Sequence, residues 1–236
     1  GTPYVVQTLE NPDGERLVVN LRQLDCTTLV ENALALSLCM RSNKKTFGDF
    51  KKFIRTMRYD RGKVSYASRL HYFSSWISSN QYWSGIIKEV AAATAPFTAT
   101  KDLRLDFMSK HADLYPALKG NPTMTDSIRA TEKTLVYTHR YIPKSALKKY
   151  DLLRKYIEPG DIIAIVTNKE GLDVSHLGIA SWHNDGTLHL LNASQIHKKV
   201  IDEPMTLYDY MQKHPSQIGI RVIRPLDKAA PTWITE

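Results

Sequence analysis

The chain has 236 residues, of which 42% are hydrophobic and 24% are charged, which is an ordinary composition for a single domain with a buried core. Its net charge is +8, but the Lys and Arg residues are scattered and no zinc-ligand spacing or RNA-binding signature accompanies them, so no nucleic-acid partner is expected. The most apolar stretch, residues 29–40, is interrupted by polar residues and is too short to span a bilayer, so no membrane span is expected.

The first 24 residues are interpreted as a lead-in segment, in which Asn11-Pro12-Asp13-Gly14 predicts a turn and residues 17–21 predict an edge strand or ribbon. Asp25 then predicts the N-cap of a helix that begins at Cys26 and ends near residues 41–43. The predicted packing face of this helix has apolar residues at helical spacing, namely Leu29, Ala33, Leu36 and Met40.

Cys26 and Cys39 lie thirteen positions apart in the predicted helix, or roughly 20 Å, which is too far for a disulfide. The first turn of a helix favours a thiolate through its free N–H groups and the helix dipole, and the same groups can stabilise an oxyanion. Cys26 is therefore a candidate nucleophile, although a small buried core residue remains the alternative by position alone. Cys39, in the last turn, is interpreted as a core residue.

Residues 44–156 are mostly polar helical material with several Pro and Gly breakers, and we interpret them as a mostly helical insertion in a single catalytic domain, residues 1–236. Beyond them the pattern changes to short β-branched runs at residues 161–167, 176–182, 187–193 and 218–223, which predict an antiparallel meander. Asn184-Asp185-Gly186 predicts a tight hairpin turn, and residues 205–214 predict one further short helix.

His176 is the candidate base because it begins a predicted strand, whereas histidines 111, 139, 197 and 214 lie in polar surroundings and are expected to face solvent. Across the predicted hairpin, His176 falls near Asn192 or Ser194, and Asn192 is the better acceptor for one imidazole nitrogen. These residues predict a Cys-His-Asn triad of the kind found in papain-like enzymes.

Four motifs, in order, resemble those of the NlpC-type cell-wall cysteine hydrolases. They are Asp25-Cys26-Thr27-Thr28-Leu29-Val30, Pro159-Gly160-Asp161, Ser175-His176-Leu177-Gly178-Ile179 and Asn192-Ala193-Ser194. The resemblance implies an α+β, papain-like fold with the cysteine at the N-terminus of a helix packed on an antiparallel sheet. Two departures are Thr27-Thr28 in place of Ser-Gly and Asn192 where many members have histidine.

The long insertion resembles that of the N-acetylmuramoyl-L-alanine amidase-like branch. This resemblance implies cleavage of the amide between (anhydro-)N-acetylmuramic acid and L-alanine in muropeptides, through a cysteine thioester. The candidate substrate-binding residues are Tyr66, Arg69, His71, Tyr72 and Trp76, with Arg69 pairing with a carboxylate and the aromatic rings packing on sugars. The alternative is that Tyr66, Tyr72 and Trp76 are core aromatics.

Two rival functions remain open on the sequence. A γ-D-glutamyl-diaminopimelate endopeptidase would share every catalytic motif, and an inactive peptidoglycan-binding module would keep the scaffold without the chemistry. Acyl transfer to or from lipid through a thioester is a further possibility. No metal or cofactor is expected, a monomer is expected, and the resemblance implies a periplasmic or otherwise exported protein.

Overall fold

The centre of the protein is an antiparallel sheet of eight strands in the computed structural model, which describes residues 1–227 and 230–234. The strands are β1 (Ile87–Val90), β2 (Ala99–Arg104), β3 (Val136–Pro143), β4 (Ile162–Thr167), β5 (Val174–Trp182), β6 (Leu188–Ser194), β7 (Lys199–Asp202) and β8 (Gln217–Pro225). Their order is β2-β3-β8-β4-β5-β6-β7, and β1 also pairs with β8. The antiparallel sheet is consistent with the predicted α+β class.

Helices cover both faces of this sheet. They are α1 (Cys26–Arg41), α2 (Phe47–Arg58), α3 (Phe73–Ser78), α4 (Phe107–Lys110), α5 (Pro122–Glu132), α6 (Tyr150–Leu153) and α7 (Leu207–Gln212). Strand β4 is buried on both sides: Ile162 and Ala164 pack with α1, α2 and α3, whereas Ile163 and Ile165 pack with α6 and α7. In the described ranges, no helix is long and apolar enough to cross a membrane.

The four strands predicted from residues 161–223 are confirmed, with ends that differ by at most two residues. The predicted hairpin turn between β5 and β6 is also confirmed. The carbonyl of His183 accepts a hydrogen bond from the amide of Gly186, and Gly186 has φ +87, so only the glycine of the three turn residues uses the left-handed region. The predicted short helix is α7.

Helix α1 begins where the sequence predicts, because Asp25 and Thr28 form a reciprocal capping box. The predicted packing face is wrong, since Leu36 is 50% exposed and Met40 is 82% exposed. The helix is apolar on nearly all sides between residues 29 and 40, so apolar spacing alone did not identify the buried side. The residues that the helix buries are Thr28, Val30, Glu31, Asn32, Leu34, Ala35 and Leu38.

Two polar residues on the buried side of α1 explain the error, because each has its own partner. Glu31 pairs with Arg58 of α2 at 2.7 Å, with both side chains almost fully buried. Asn32 donates to the carbonyl of Asn20 at 3.1 Å. A buried charge or amide is tolerated when it is paired in this way, and such pairing depends on residues distant in sequence.

The lead-in segment contains the predicted turn, closed by a hydrogen bond from the Gly14 amide to the Asn11 carbonyl. The strand predicted at residues 17–21 is wrong. Carbonyl groups of this stretch accept hydrogen bonds from side chains of the helical region, as Val18 does from Arg58. These side-chain hydrogen bonds satisfy carbonyl groups that a neighbouring strand would satisfy in a sheet.

The region 44–156 holds α2 to α6, and it also contributes β1, β2 and β3 to the sheet, which the sequence did not predict. Strands β1 and β3 both pair with β8, so this region is joined to the sheet directly. It has a separate apolar cluster that includes Tyr66, Tyr72, Leu105 and Met108. Its treatment as an insertion in a single domain stays a prediction.

Candidate active site

Cys26 is the first residue of α1 and is partly exposed. The side chain of Asp25 accepts from the Thr28 amide and the Asp25 carbonyl accepts from the Leu29 amide. The amides of Cys26 and Thr27 precede the first hydrogen bond within the helix, at its positive end. They are the backbone donors available to an oxyanion that forms at the thiol.

The environment of the thiol differs from the sequence expectation of a favoured thiolate. Desolvation raises the pKa of the Cys26 thiol to about 11, and the negative charge of Asp25 adds to the rise. Hydrogen bonding with the Leu177 backbone and with Thr27 acts in the opposite direction and does not cancel it. The thiol is therefore neutral at pH 7, and the Leu177 contact places it next to the residue that follows His176.

His176 lies on β5, and its Nε2 atom is 3.0 Å from Oδ1 of Asn192 on β6. The Asn192 amide is held in this orientation because its Nδ2 donates to the Leu190 carbonyl at 3.1 Å. An amide oxygen only accepts, so Nε2 of His176 carries the hydrogen and Nδ1 keeps its lone pair. Of the two acceptors that the sequence left open, Asn192 is the one that contacts His176.

Burial lowers the pKa of His176, and the hydrogen bond with Asn192 opposes part of this effect. The imidazole is therefore neutral at pH 7, like the thiol. Ser194, the other candidate acceptor, accepts instead from the His197 amide at 3.1 Å. It stabilises the turn after β6 and does not contact His176.

Two tyrosines that the sequence did not single out also lie at this site. The ring of Tyr210, on α7, is 6.3 Å from the His176 ring. Tyr4 is placed beside α1 because residues 3–5 hydrogen-bond with Leu24. Burial raises the pKa of both tyrosines to about 12, and the charge of a Cys26 thiolate would add to the rise, so both hydroxyls are protonated at neutral pH. No local pattern marks either residue, because both reach the site through tertiary contacts.

Other residues of the four motifs have structural roles. A Cβ at Gly178 would lie 2.5 Å from the Leu190 side chain, so only glycine allows β5 to pass β6 at this distance. Asp161 accepts two hydrogen bonds from Arg224 at 2.9 and 2.8 Å, which fixes the start of β4. Because β4 pairs with β5, these contacts hold the strand that carries His176.

Arg69 forms ion pairs with two carboxylates in the structure. Its guanidinium donates to Glu15 through Nε at 3.0 Å and through Nη2, and to Glu10 through Nη1 at 2.7 Å. It also lies over the Tyr66 ring at 4.9 Å. His71 is next to the same ring, and its Nε2 is 2.8 Å from the Tyr66 carbonyl. Burial lowers the pKa of His71 to about 3, so this histidine is neutral.

Tyr72 and Trp76 lie inside the protein. The Tyr72 hydroxyl donates to Glu132 at 2.6 Å and accepts from the Met108 amide at 2.9 Å. Trp76 is 1% exposed and stacks on Phe73 at 4.8 Å, in the core beneath α1. The structure does not bring Trp76 to a surface where it can contact a ligand, which agrees with the core alternative. The reason is its position on α3, whose buried side faces the sheet.

Two cavities meet at the segment 69–71. The smaller, which we call the Asp25 cleft, has a volume of about 210 Å³ and is lined by Gln7, Glu10, Asp25, Tyr66, Tyr115 and other residues. The larger, the hydroxyl cavity, has a volume of about 610 Å³ and is lined by Ser65, Ser68, Ser75, Ser79, Glu132, Tyr137 and other residues. Arg69 and His71 line both cavities. Of the two, the Asp25 cleft is the one whose lining includes a residue adjacent to Cys26.

The fold and the site define a mixed α/β protein in which the cysteine at the N-terminus of α1 contacts the backbone of β5, the strand that carries the histidine of a His-Asn pair. The family model described as AmiA-like, N-acetylmuramoyl-L-alanine amidase-like, matches residues 1–220. The chain therefore belongs to this family.

Solved structures with the same fold agree with this assignment. The chain is 37% identical to an N-acetylmuramoyl-L-alanine amidase from Bacteroides uniformis, with a TM-score of 0.87 and coverage of 95% of this chain and 93% of that one. It is 42% identical to a putative xylanase from Bacteroides fragilis, with a TM-score of 0.86 and coverage of 94% and 95%. A protein from Legionella pneumophila, 24% identical with a TM-score of 0.71 and coverage of 96% and 85%, supports the fold alone. A search of the curated proteins gave no match.

Proposed function

We propose that this protein is a cysteine amidase of the NlpC type, with a papain-like fold, that cleaves the bond between (anhydro-)N-acetylmuramic acid and L-alanine in muropeptides. The observation that carries the mechanism is the arrangement at Cys26, where a helix N-terminal thiol lies next to the strand of an Asn-oriented histidine. The family and the Bacteroides uniformis amidase support the bond that is cut. Export to the periplasm or cell surface follows from a peptidoglycan substrate.

The reaction begins from a neutral thiol and a neutral imidazole, since burial disfavours both charged forms. Nδ1 of His176 accepts the thiol proton as Cys26 attacks the lactyl carbonyl, and His176 then gives this proton to the amine of L-alanine, which leaves. Water next attacks the muramyl thioester, with His176 as base, and releases the acid. Asn192 keeps Nε2 protonated throughout, so Nδ1 is the nitrogen that takes up and gives back the proton.

Developing negative charge on the carbonyl oxygen meets the backbone amides of Cys26 and Thr27 at the start of α1. The hydroxyls of Tyr4 and Tyr210 remain protonated at neutral pH, so both keep a hydrogen that they can donate. The first turn of the helix therefore serves the transition state even though it does not hold a resting thiolate.

Similarity to a putative xylanase from Bacteroides fragilis raises glycosidase chemistry as an alternative. Hydrolysis of a glycosidic bond requires two carboxyl groups that face each other across the bond. Near Cys26 the carboxylate of Asp25 is the helix cap, and Glu10 and Glu15 are both bound to Arg69. Because these carboxylates are already hydrogen-bonded or ion-paired, the site favours acyl transfer by the thiol over glycoside hydrolysis.

The experiment is digestion of anhydro-muropeptides by the purified protein, with products identified by mass spectrometry. We expect an intact stem peptide and free anhydro-sugar. A dipeptide, either released or left on the sugar, would assign the endopeptidase activity instead, and the absence of any product would support a binding module.

The matched variants are Cys26→Ala and Cys39→Ala, which remove the two thiols of α1 one at a time. We expect Cys26→Ala to lose activity by about 10⁴-fold or more, because the nucleophile is absent, and Cys39→Ala to keep it. Hydrolysis retained by folded Cys26→Ala would contradict the whole mechanism.

A further inference from the structure

The hydroxyl cavity has no part in the chemistry at Cys26, yet its walls contain many polar side chains. Ten of them carry a hydroxyl that can donate or accept a hydrogen bond, among them Ser75, Ser79, Thr131 and Tyr137. Met108, Ile128 and Leu135 form an apolar part of the lining. A mixed lining of this kind, in a cavity of about 610 Å³, is typical of a binding site for a small organic ligand.

Glu132 supplies an open acceptor on the cavity wall. The residue is 2% exposed, and its Oε1 accepts from the Tyr72 hydroxyl at 2.6 Å and from the Ser109 amide at 3.1 Å. Its Oε2 is buried and has no hydrogen-bond partner within residues 1–227 and 230–234. A buried acceptor without a partner is unfavourable, so a ligand that donates a hydrogen bond to it removes a cost already present.

A second open polar atom lies on the same wall. Ser79 Oγ is buried and likewise has no partner in the described part of the chain. Close by, Ser75 and Tyr137 hydrogen-bond to each other at 3.2 Å. A ligand with several hydroxyl groups, each able both to donate and to accept, matches this set of atoms.

Aromatic surface accompanies these polar groups. Tyr82 lines the cavity and is 80% exposed, and Trp83 lines it while packing against Trp233 with ring centroids 4.7 Å apart. An exposed large aromatic ring beside hydroxyls and a carboxylate offers an apolar face and polar edges together. The C–H face of a sugar ring is the ligand surface that pairs with such a ring.

The charges on the lining bear on the main competing ligand chemistry. Two carboxylates, Asp60 and Glu132, and three cations, Arg61, Lys63 and Arg69, line the cavity, so an ammonium group in it would meet more cations than anions. A neutral hydroxyl donates to Oε2 of Glu132 without that repulsion. The lining therefore favours a neutral polyol over an amine such as the side chain of a diamino acid.

We propose that the hydroxyl cavity is a saccharide-binding site that holds a neutral sugar of the glycan part of the substrate. The cavity shares Arg69 and His71 with the Asp25 cleft, so the two are neighbours, and the cleft is lined by Asp25, the residue that precedes Cys26. The assignment to a peptidoglycan glycan rests on the proposed function, whereas saccharide binding itself does not.

The test measures binding without hydrolysis. The Cys26→Ala protein is titrated by calorimetry with a peptide-free β-1,4-linked N-acetylglucosamine trisaccharide, and the titration is repeated after Tyr82→Ala or Glu132→Gln is added. We expect each added change to weaken binding about tenfold, because a stacking face or a charged acceptor is lost. The matched controls are Phe47→Ala and Glu170→Gln, at exposed positions outside the cavity, which we expect to leave binding unchanged.

Absence of trisaccharide binding by Cys26→Ala, or binding that neither Tyr82→Ala nor Glu132→Gln weakens, would overturn the proposal. Preferential binding of a free diaminopimelate-containing peptide at this cavity would overturn it as well. If Glu132→Gln does not fold, Ser79→Ala takes its place beside Tyr82→Ala. Failure of the amidase is seen separately, in the digestion assay, so the two proposals can fail independently.

Discussion

The His176–Asn192 pair and the region that lines the hydroxyl cavity differ in how their buried polar atoms are satisfied. At the catalytic side, the polar atoms of His176 and Asn192 are linked in a chain that ends on the Leu190 carbonyl. In the region 44–156, Glu132 Oε2 and Ser79 Oγ are left open. The complete series of hydrogen bonds fixes one geometry of His176 for a reaction. The atoms without partners leave hydrogen-bonding positions that a ligand can fill.

The largest expected effect concerns Trp76, which the sequence grouped with the substrate residues. Trp76→Ala should lower the free energy of unfolding by about 3–5 kcal/mol, because it empties a filled position in the core. Chemical denaturation measures this loss, and Trp233→Ala, at a residue that is 44% exposed, is the control. A variant of unchanged stability with a raised KM would show that Trp76 acts on the substrate instead.

The next largest effect tests the hydrogen bonds that join His176, Asn192 and the Leu190 carbonyl. Asn192→Ala should lower kcat/KM about 10- to 100-fold, because the His176 ring loses the partner that holds its orientation. The hydrogen bond that His176 donates to Asn192 raises the pKa of His176, so its loss should also move the acid limb of the pH–rate profile to lower pH. Asn192→His should recover much of the rate, since it restores a polar partner.

Ser194→Ala is the control for that series, because Ser194 lies two residues further along β6 and bonds to the His197 amide. We expect a small change in rate and no shift in the pH profile. A larger loss for Ser194→Ala than for Asn192→Ala would contradict the assignment of the orienting residue.

The smallest effect concerns His139, the buried histidine that the sequence placed in solvent. It is 7% exposed and neither ring nitrogen has a partner in the described ranges. Burial, with the charges of Arg221 and Lys101, lowers the pKa of His139 to about 3. The unfolded chain therefore binds a proton near pH 6.5 that the folded protein does not, and stability is lost as the pH falls from about 6.5 towards 3.

His139→Leu should remove that loss. Between pH 7 and pH 5, the free energy of unfolding of the variant should fall by up to about 2 kcal/mol less than that of the wild type. Denaturation at the two pH values measures the difference, with His111→Leu at an exposed position as control. Equal pH dependence in wild type and His139→Leu would show that His139 is not the group responsible.

Local rules account for what the sequence predicted well. The start of α1 depends on Asp25 and Thr28, three residues apart, and the His176–Asn192 contact depends on a hairpin register counted from its own turn. The buried side of α1 was missed because it is set by Arg58 and Asn20, far along the chain. Strands β1 to β3 and the hydroxyl cavity were missed for the same reason, since their partners are distant in sequence.

The pKa of the Cys26 thiol shows a related limit of prediction from local sequence. A helix N-terminus favours a thiolate, and sequence position alone therefore predicts a lowered pKa. Burial, which no local pattern indicates, raises the pKa of Cys26 to about 11. Slow alkylation at neutral pH is consequently expected even of an active enzyme, and it does not distinguish an enzyme from a binding module.

The place of β8 has a consequence for how the protein folds. This strand comes from residues 217–225 but lies in the middle of the sheet, between β3 and β4, and also pairs with β1. The two halves of the sheet therefore stay separate until residues 217–225 have been synthesised, and contacts of such long sequence separation form slowly. Cys26 is synthesised well before β8, which completes the sheet around His176, so the nascent chain carries the proposed nucleophile for a time without a working site.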